Sequence, residues 1–221
     1  MGQFDQTKQI VVDTCRKLME KGYLIGTGGN VSVRVSGQNA FAITPSNYDY
    51  LKMAPADICI LSLDLQTLEG DKKSSIESSM HAAIYENRAD AQAVIHTHQV
   101  YASAIALTGQ SIPAIFDEQA RYLGRSVEIV KYGPSGTIFL KRNIVAKLNN
   151  HANAYILQNH GALCLGDSPE RAISNVELLE KCSLSFLLAL CTEKKISKIP
   201  LPIREIIFSK LRKDQHLFES K

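Results

Sequence analysis

The chain reads as a single α/β domain with helices on both faces of a mixed sheet. Three observations predict this. Stretches with apolar residues at helical spacing alternate along the chain with short apolar runs rich in β-branched residues. Residues 31–43 contain two such runs joined by Ser36-Gly37-Gln38-Asn39, an antiparallel hairpin that a wholly parallel sheet does not hold. No repeat, low-complexity tract or long linker divides the 221 residues, and a hydrophobic fraction of 45% suffices for one full core.

The elements follow in order. Ile10, Val11, Leu18 and Met19 set a helix over about 7–21, stopped by Gly22. Strands are expected at 31–35, 40–43 and 58–63, and Gly70 to Ser75 is a polar loop. A helix over 80–86 leads into a strand ending at His96, and a second helix covers 100–107. Ser111-Ile112-Pro113 turns the chain. Residues 127–131 read as a strand, 138–148 as a helix, and 154–157 and 162–165 as strands around Asn159-His160-Gly161. Ser168 is an N-cap with Pro169 at the first helical position, opening a helix that could run beyond Leu190. Pro200 and Pro202 then break the chain before a short amphipathic C-terminal segment.

Composition excludes several function classes. A net charge of +3 without a basic, aromatic-interleaved stripe argues against nucleic acid as partner. The basic residues near the C-terminus, Lys194 to Lys213, read as a solvated tail or helix face. The longest apolar run, Leu184 to Cys191, is far short of the roughly 20 residues that span a bilayer, so no membrane role is expected. Met1-Gly2 has Gln6 where a myristoylation signal needs Ser or Thr, and Asp5 and Lys8 interrupt any signal peptide. Five cysteines without Cys-x-x-Cys spacing, each among apolar residues, predict buried free thiols and a cytoplasmic location.

The chemistry centres on His96-Thr97-His98. Side chains at i and i+2 of a strand share a face, so two imidazoles leave the strand end side by side, spaced for one metal ion or for ordinary hydrogen bonds. His160 has the same context, an apolar strand with a polar end. Three histidines leave an open coordination position, as a catalytic zinc requires. His81, four residues after Glu77, reads as its local helical partner, and His151 and His216 as loop and tail residues outside the site. Gly26-Thr27-Gly28-Gly29-Asn30 exposes amides that can cradle an anion or serve a simple turn. Thr44-Pro45-Ser46-Asn47 adds neutral donors, and Ser74-Ser75-Ile76-Glu77 is either a cap or part of a site.

In this order, Gly26–Arg34, Ile43–Ser46, Ser75-Ile76-Glu77 with Met80-His81, Ala93–His98 and Gln158–Gly161 resemble the class II sugar-phosphate aldolase family. That family includes L-fuculose-1-phosphate aldolase, L-ribulose-5-phosphate 4-epimerase and the adducin-like domain. The resemblance makes residues 1–221 one such domain, with a core over about 7–192 and a C-terminal tail over 193–221. It implies a three-layer α/β/α sandwich and a homotetramer with interfacial active sites. It also implies one divalent metal, zinc first and manganese or cobalt as alternatives, on His96, His98 and His160, with Glu77 as proton carrier and occasional ligand. Phosphate would rest on Asn30, Ser46 and Ser75, with amides from Gly29 and Asn47. The implied reaction is retro-aldol cleavage of a ketose 1-phosphate to dihydroxyacetone phosphate and an aldehyde. A cation suits it because negative charge develops on a substrate oxygen, and a carboxylate suits it because a carbon must gain or lose a proton.

Two departures bear on that reaction. Ile76 and Asn47 stand where fuculose-phosphate aldolase has a serine and a glycine, which alters the phosphate grip. Asp117 and Glu118 occupy the region of that enzyme's catalytic tyrosine, which makes both candidate second acid/base groups, an exposed acidic pair being the other reading. Dehydration, epimerisation or decarboxylation of a related sugar phosphate is the rival chemistry, and a non-catalytic adducin-like module is the rival of another class.

Overall fold

The computed structural model describes residues 2–219. The chain runs α1 (Asp5–Glu20), β1 (Asn30–Arg34), β2 (Ala40–Ile43), β3 (Cys59–Ser62), β4 (Thr67–Glu69), α2 (Ser78–Asn87) and β5 (Ala93–Thr97). It continues through α3 (Val100–Thr108), β6 (Ile112–Pro113), α4 (Asp117–Tyr122), β7 (Ser126–Val130), α5 (Ile138–Leu148), β8 (Ala154–Leu157) and β9 (Gly161–Gly166). The long α6 (Pro169–Leu190) and α7 (Leu201–Glu219) complete it.

The strands form one sheet in the order β4-β3-β2-β1-β5-β9-β8-β7-β6. Among the described residues only β7 and β8 pair in parallel, so the sheet is mixed, as the hairpin at 31–43 predicts. Alternation along the strands sends Val31, Val33, Ile95 and Ile156 to one side, where Val11, Leu18, Ile105, Val176 and Leu179 of α1, α3 and α6 cover them. Val94, Leu163, Leu165 and Tyr155 face the other side, under Met80 and Ile84 of α2 and Ile144 and Leu148 of α5. The result is a three-layer α/β/α sandwich.

Central β5 lies between β1 and β9, and its register sets Asn30 on one side of His96 and Leu163 on the other. The Ser168 side chain accepts from the Arg171 amide at 3.1 Å, which makes it the N-cap of α6.

Five expectations change. Strand β4 adds an element to the stretch between the expected strand at 58–63 and the polar loop from Gly70, where none is expected; all its residues are exposed, so no apolar alternation marks it. Ile112-Pro113 is a two-residue edge strand against β7, not a turn. Helix α6 stops at Leu190. The C-terminal segment is a 19-residue helix, with Pro202 in its first turn, where a missing N–H costs no helical bond. It docks on α4 by burying Phe208 and Leu211 and pairing Arg121 with Asp214 and Arg125 with Glu205. Finally, four cysteines are buried but Cys191 is exposed, because α6 ends there. All five thiols are free, and among the described residues no helix is long and apolar enough to cross a membrane.

Candidate active site

His96 leaves β5 on the α2 face, His98 follows just past the strand end, and His160 sits in the short turn between β8 and β9. Because β9 pairs with both β5 and β8, that turn is carried back against the end of β5. The three rings meet with centroids 4.6–5.3 Å apart, and their candidate ligand atoms all lie within 4.8 Å of one another. Two glycines make the approach possible. A Cβ on Gly29, whose φ is +81°, would sit 2.5 Å from the His96 carbonyl oxygen, and one on Gly161 would sit 2.5 Å from that of Thr97.

The donor set fits a divalent cation. His96 Nδ1 lies 2.8 Å from the Ala162 carbonyl oxygen, which only accepts, so Nδ1 carries the proton and Nε2 offers its lone pair. His96 Nε2 is 3.0 Å from His98 Nε2 and 3.4 Å from Glu77 Oε2, and Glu77 Oε1 is 3.4 Å from His160 Nε2. Ligand atoms at about 2.0–2.1 Å from a tetrahedral zinc are separated by roughly 3.3 Å, so these spacings match. Burial keeps the His96 imidazole neutral, well below its ordinary pKa, against the pull of Glu77. His98 is lowered too, first by burial and then by His160. Neutral imidazole is the form that ligates.

Glu77, at the N-terminal boundary of α2, is buried. Burial alone would raise its carboxyl, but the nearby histidines, the Asn30 amide and the Ser135 hydroxyl together hold it well below the usual range. Asn30 Nδ2 donates to Oε2 at 2.7 Å and Ser135 Oγ to Oε1 at 3.0 Å. A cavity of about 220 Å³ opens beside them, lined by Gly29, Asn30, Ser46, Asn47 and Ser75 together with Glu77, His98 and His160. All five phosphate candidates therefore share one cavity with the acid and two of the histidines. Asn47 adopts φ 52°, the left-handed conformation in which it can replace a glycine. Ser75 also has a local role: its hydroxyl accepts from the Glu77 amide at 3.3 Å.

The family profile "Class II Aldolase and Adducin N-terminal domain" matches residues 9–185, and the matched segment contains every one of these groups. The chain belongs to that family. A 5-deoxy-D-ribulose 1-phosphate aldolase of Bacillus thuringiensis serovar kurstaki is 32% identical over 176 residues, covering 80% of this chain and 82% of the relative. L-fuculose phosphate aldolase of Escherichia coli K12 is 34% identical over 180 residues, with the same coverage of 80% and 82%. A solved L-fuculose 1-phosphate aldolase superposes with a TM-score of 0.88 at 29% identity, covering 94% of this chain and 96% of that one. The chain is thus a lyase of the class II aldolase type, in a metal-dependent family, with a histidine cluster able to hold the ion.

Within this family member, Asp117 and Glu118 do not join the histidines. Asp117 is exposed at the start of α4, and Glu118 pairs with Lys181 in a separate surface cleft that includes Arg171. His81 is not a surface partner of Glu77. It is fully buried, with Nε2 on Asn30 Oδ1 and Nδ1 2.6 Å from Ser32 Oγ, and burial lowers it to about 3. A sequence signal existed for it: polar Asn30 and Ser32 share one face of an apolar strand, and His81 and Tyr85 share one face of α2. Ser135 was also missed. Gly133-Pro134-Ser135-Gly136 signals only a turn, and nothing local aims its hydroxyl at Glu77.

Proposed function

We propose that the protein cleaves a ketose 1-phosphate to dihydroxyacetone phosphate and an aldehyde, in the cytoplasm, with one zinc ion per subunit. The observation that carries this reading is the meeting of three imidazoles and an ionised carboxylate beside a cavity lined by neutral phosphate donors. The sugar-phosphate aldolases among the relatives support it, and the free thiols fit a reducing compartment.

His96, His98 and His160 would hold the ion, with Glu77 as a further ligand before substrate enters. The ion supplies a Lewis acid that stabilises the negative charge developing on the substrate oxygen. The chain's own groups do the rest. The Gly29 and Asn47 amides with the side chains of Ser46, Ser75 and Asn30 seat the phosphate, which takes no part in the chemistry and orients the sugar. Glu77 rests ionised, so in cleavage it takes up the proton that the substrate hydroxyl releases and then delivers it to the carbon next to the carbonyl.

Asp117 and Glu118 can act at this chemistry only in a neighbouring subunit's site, which is one reason to propose a homotetramer. Exposed Ile76, Tyr132, Ile138 and Phe139 in the segments around Glu77 and Ser135 give such an assembly apolar surface to cover. The test is a coupled assay for dihydroxyacetone phosphate across short-chain and deoxy ketose 1-phosphates, with and without a chelator. Chelator-sensitive release supports the proposal. An isomer or a dehydrated product from the same panel, with no dihydroxyacetone phosphate, overturns it.

A further inference from the structure

Behind the site lies a chain of buried polar groups, three of which no step above uses. Tyr85 Oη is 2.7 Å from Ser32 Oγ, Ser32 Oγ is 2.6 Å from His81 Nδ1, His81 Nε2 meets Asn30 Oδ1, and Asn30 Nδ2 meets Glu77 Oε2 at 2.7 Å. All five side chains are buried. They come together because β1 presents Asn30 and Ser32 on one face while α2 presents Glu77, His81 and Tyr85 one turn apart above it.

The direction of every bond is forced from the carboxylate end. An ionised Glu77 only accepts, so Asn30 must offer its nitrogen there and its oxygen to His81. His81 Nε2 must then carry the proton. No acid touches His81 in its buried place, so the ring is neutral and Nδ1 has a lone pair, which Ser32 must fill by donating. Ser32 Oγ is left to accept from Tyr85. Tyr85 is itself anchored: Arg34 donates to its carbonyl oxygen at 2.7 Å and lies over its ring.

We propose that Tyr85, Ser32 and His81 are positioning residues that lock the Asn30 amide nitrogen onto Glu77 and so hold the carboxylate against His96 and His160. Without them the Asn30 amide is free to flip, turning an oxygen toward an anionic oxygen. The chain orients and does not conduct, since a primary amide at Asn30 passes no proton at neutral pH. It also spends the Asn30 side chain mainly on Glu77, leaving one N–H for phosphate. The inference rests on the metal site proposed above, and its test needs no turnover.

The experiment combines imidazole ¹⁵N spectra with zinc affinity, measured by competition with a chromophoric chelator, on the full chain. Wild type is expected to show His81 protonated at Nε2 with or without zinc. Ser32→Ala removes the donor to Nδ1 and is expected to give mixed His81 tautomers and a severalfold weaker zinc affinity. His81→Leu is expected to raise the zinc Kd on the order of 10-fold, the low end of what loss of an outer partner of a metal ligand costs. A wild-type His81 protonated at Nδ1, or unchanged zinc affinity in Ser32→Ala, overturns the relay. Should His81→Leu fail to fold, Ser32→Ala decides on the same two readouts. A wild-type chain that takes up no zinc refutes the metal site itself, and the tautomer alone then judges the relay.

Discussion

The two faces of the central sheet are built on opposite principles. Under α1, α3 and α6 the strands present Val31, Val33, Ile95 and Ile156, and the one polar side chain that β1 and β5 add to that layer is Thr97 at the end of β5, satisfied by Gln99. Under α2 the same two strands present Asn30, Ser32 and His96, which are as fully buried as their apolar neighbours. An apolar face gains stability with each group removed from water, roughly 25 cal/mol per Å². A polar face gains little and loses heavily if any member is left unpartnered. The site stands on the second face because a carboxylate and neutral imidazoles can be held at fixed distances only by groups that are themselves fully satisfied. One face holds the fold together and the other holds the chemistry in place.

That contrast can be broken in four places. The largest expected effect is at the ligands: His96→Ala or His160→Ala should lose bound metal and turnover together. With several kcal/mol of charge stabilisation removed, the rate should fall on the order of 10³-fold, read by elemental analysis and the coupled assay. Glu77→Gln should still take up zinc on three imidazoles, at lower affinity, while turnover drops roughly 10²–10⁴-fold; unchanged turnover removes Glu77 from proton transfer. On the apolar face, Ile156→Ala should cost about 2–5 kcal/mol in urea unfolding and leave the zinc affinity of the folded protein untouched. A change in zinc affinity there would mean that the two faces are not separate.

The smallest effect is acid sensitivity of the metal-free protein. His81 is lowered from 6.5 to about 3 by burial, so between those values the unfolded chain binds a proton that the folded one does not. Stability therefore falls as pH drops below about 6.5, by about 1.4 kcal/mol per unit from this residue. His96 shifts the same way. Glu77, also lowered, adds its loss only further into acid, below 4.5. The unfolding free energy from urea titrations should fall by about 2 kcal/mol between pH 7 and pH 5 from His81 alone. A flat profile would place a charged His81 in the core.

Much of this was legible beforehand. Helix α5 lies where apolar spacing puts it, and β1, β2, β5 and β8 are recognised from short apolar runs, because period and burial coincide there. What failed was weakly patterned or decided at a distance. The three exposed residues of β4 carry no alternation, and Ile112-Pro113 is a strand only because β7 lies beside it. The basic C-terminal stretch reads as a solvated tail or helix face, and it is the helix, which besides its basic face buries Phe208 and Leu211. His81 was assigned to a local pair because a helix brings i and i+4 together, but its ring bonds to Asn30 and Ser32 of β1 instead.

Residue types and short-range spacing alone settled the α/β class, the strand-end histidines and the ordered motifs of the family, since each depends on neighbours a few positions away. Which way the Asn30 amide faces, which tautomer His81 adopts and whether His160 reaches the other two rings depended on cross-strand register and on the return of β8 and β9 to the end of β5. Hydrogen-bond direction is a property of the partners, and partners far apart in the chain exist only once the sheet has closed around them.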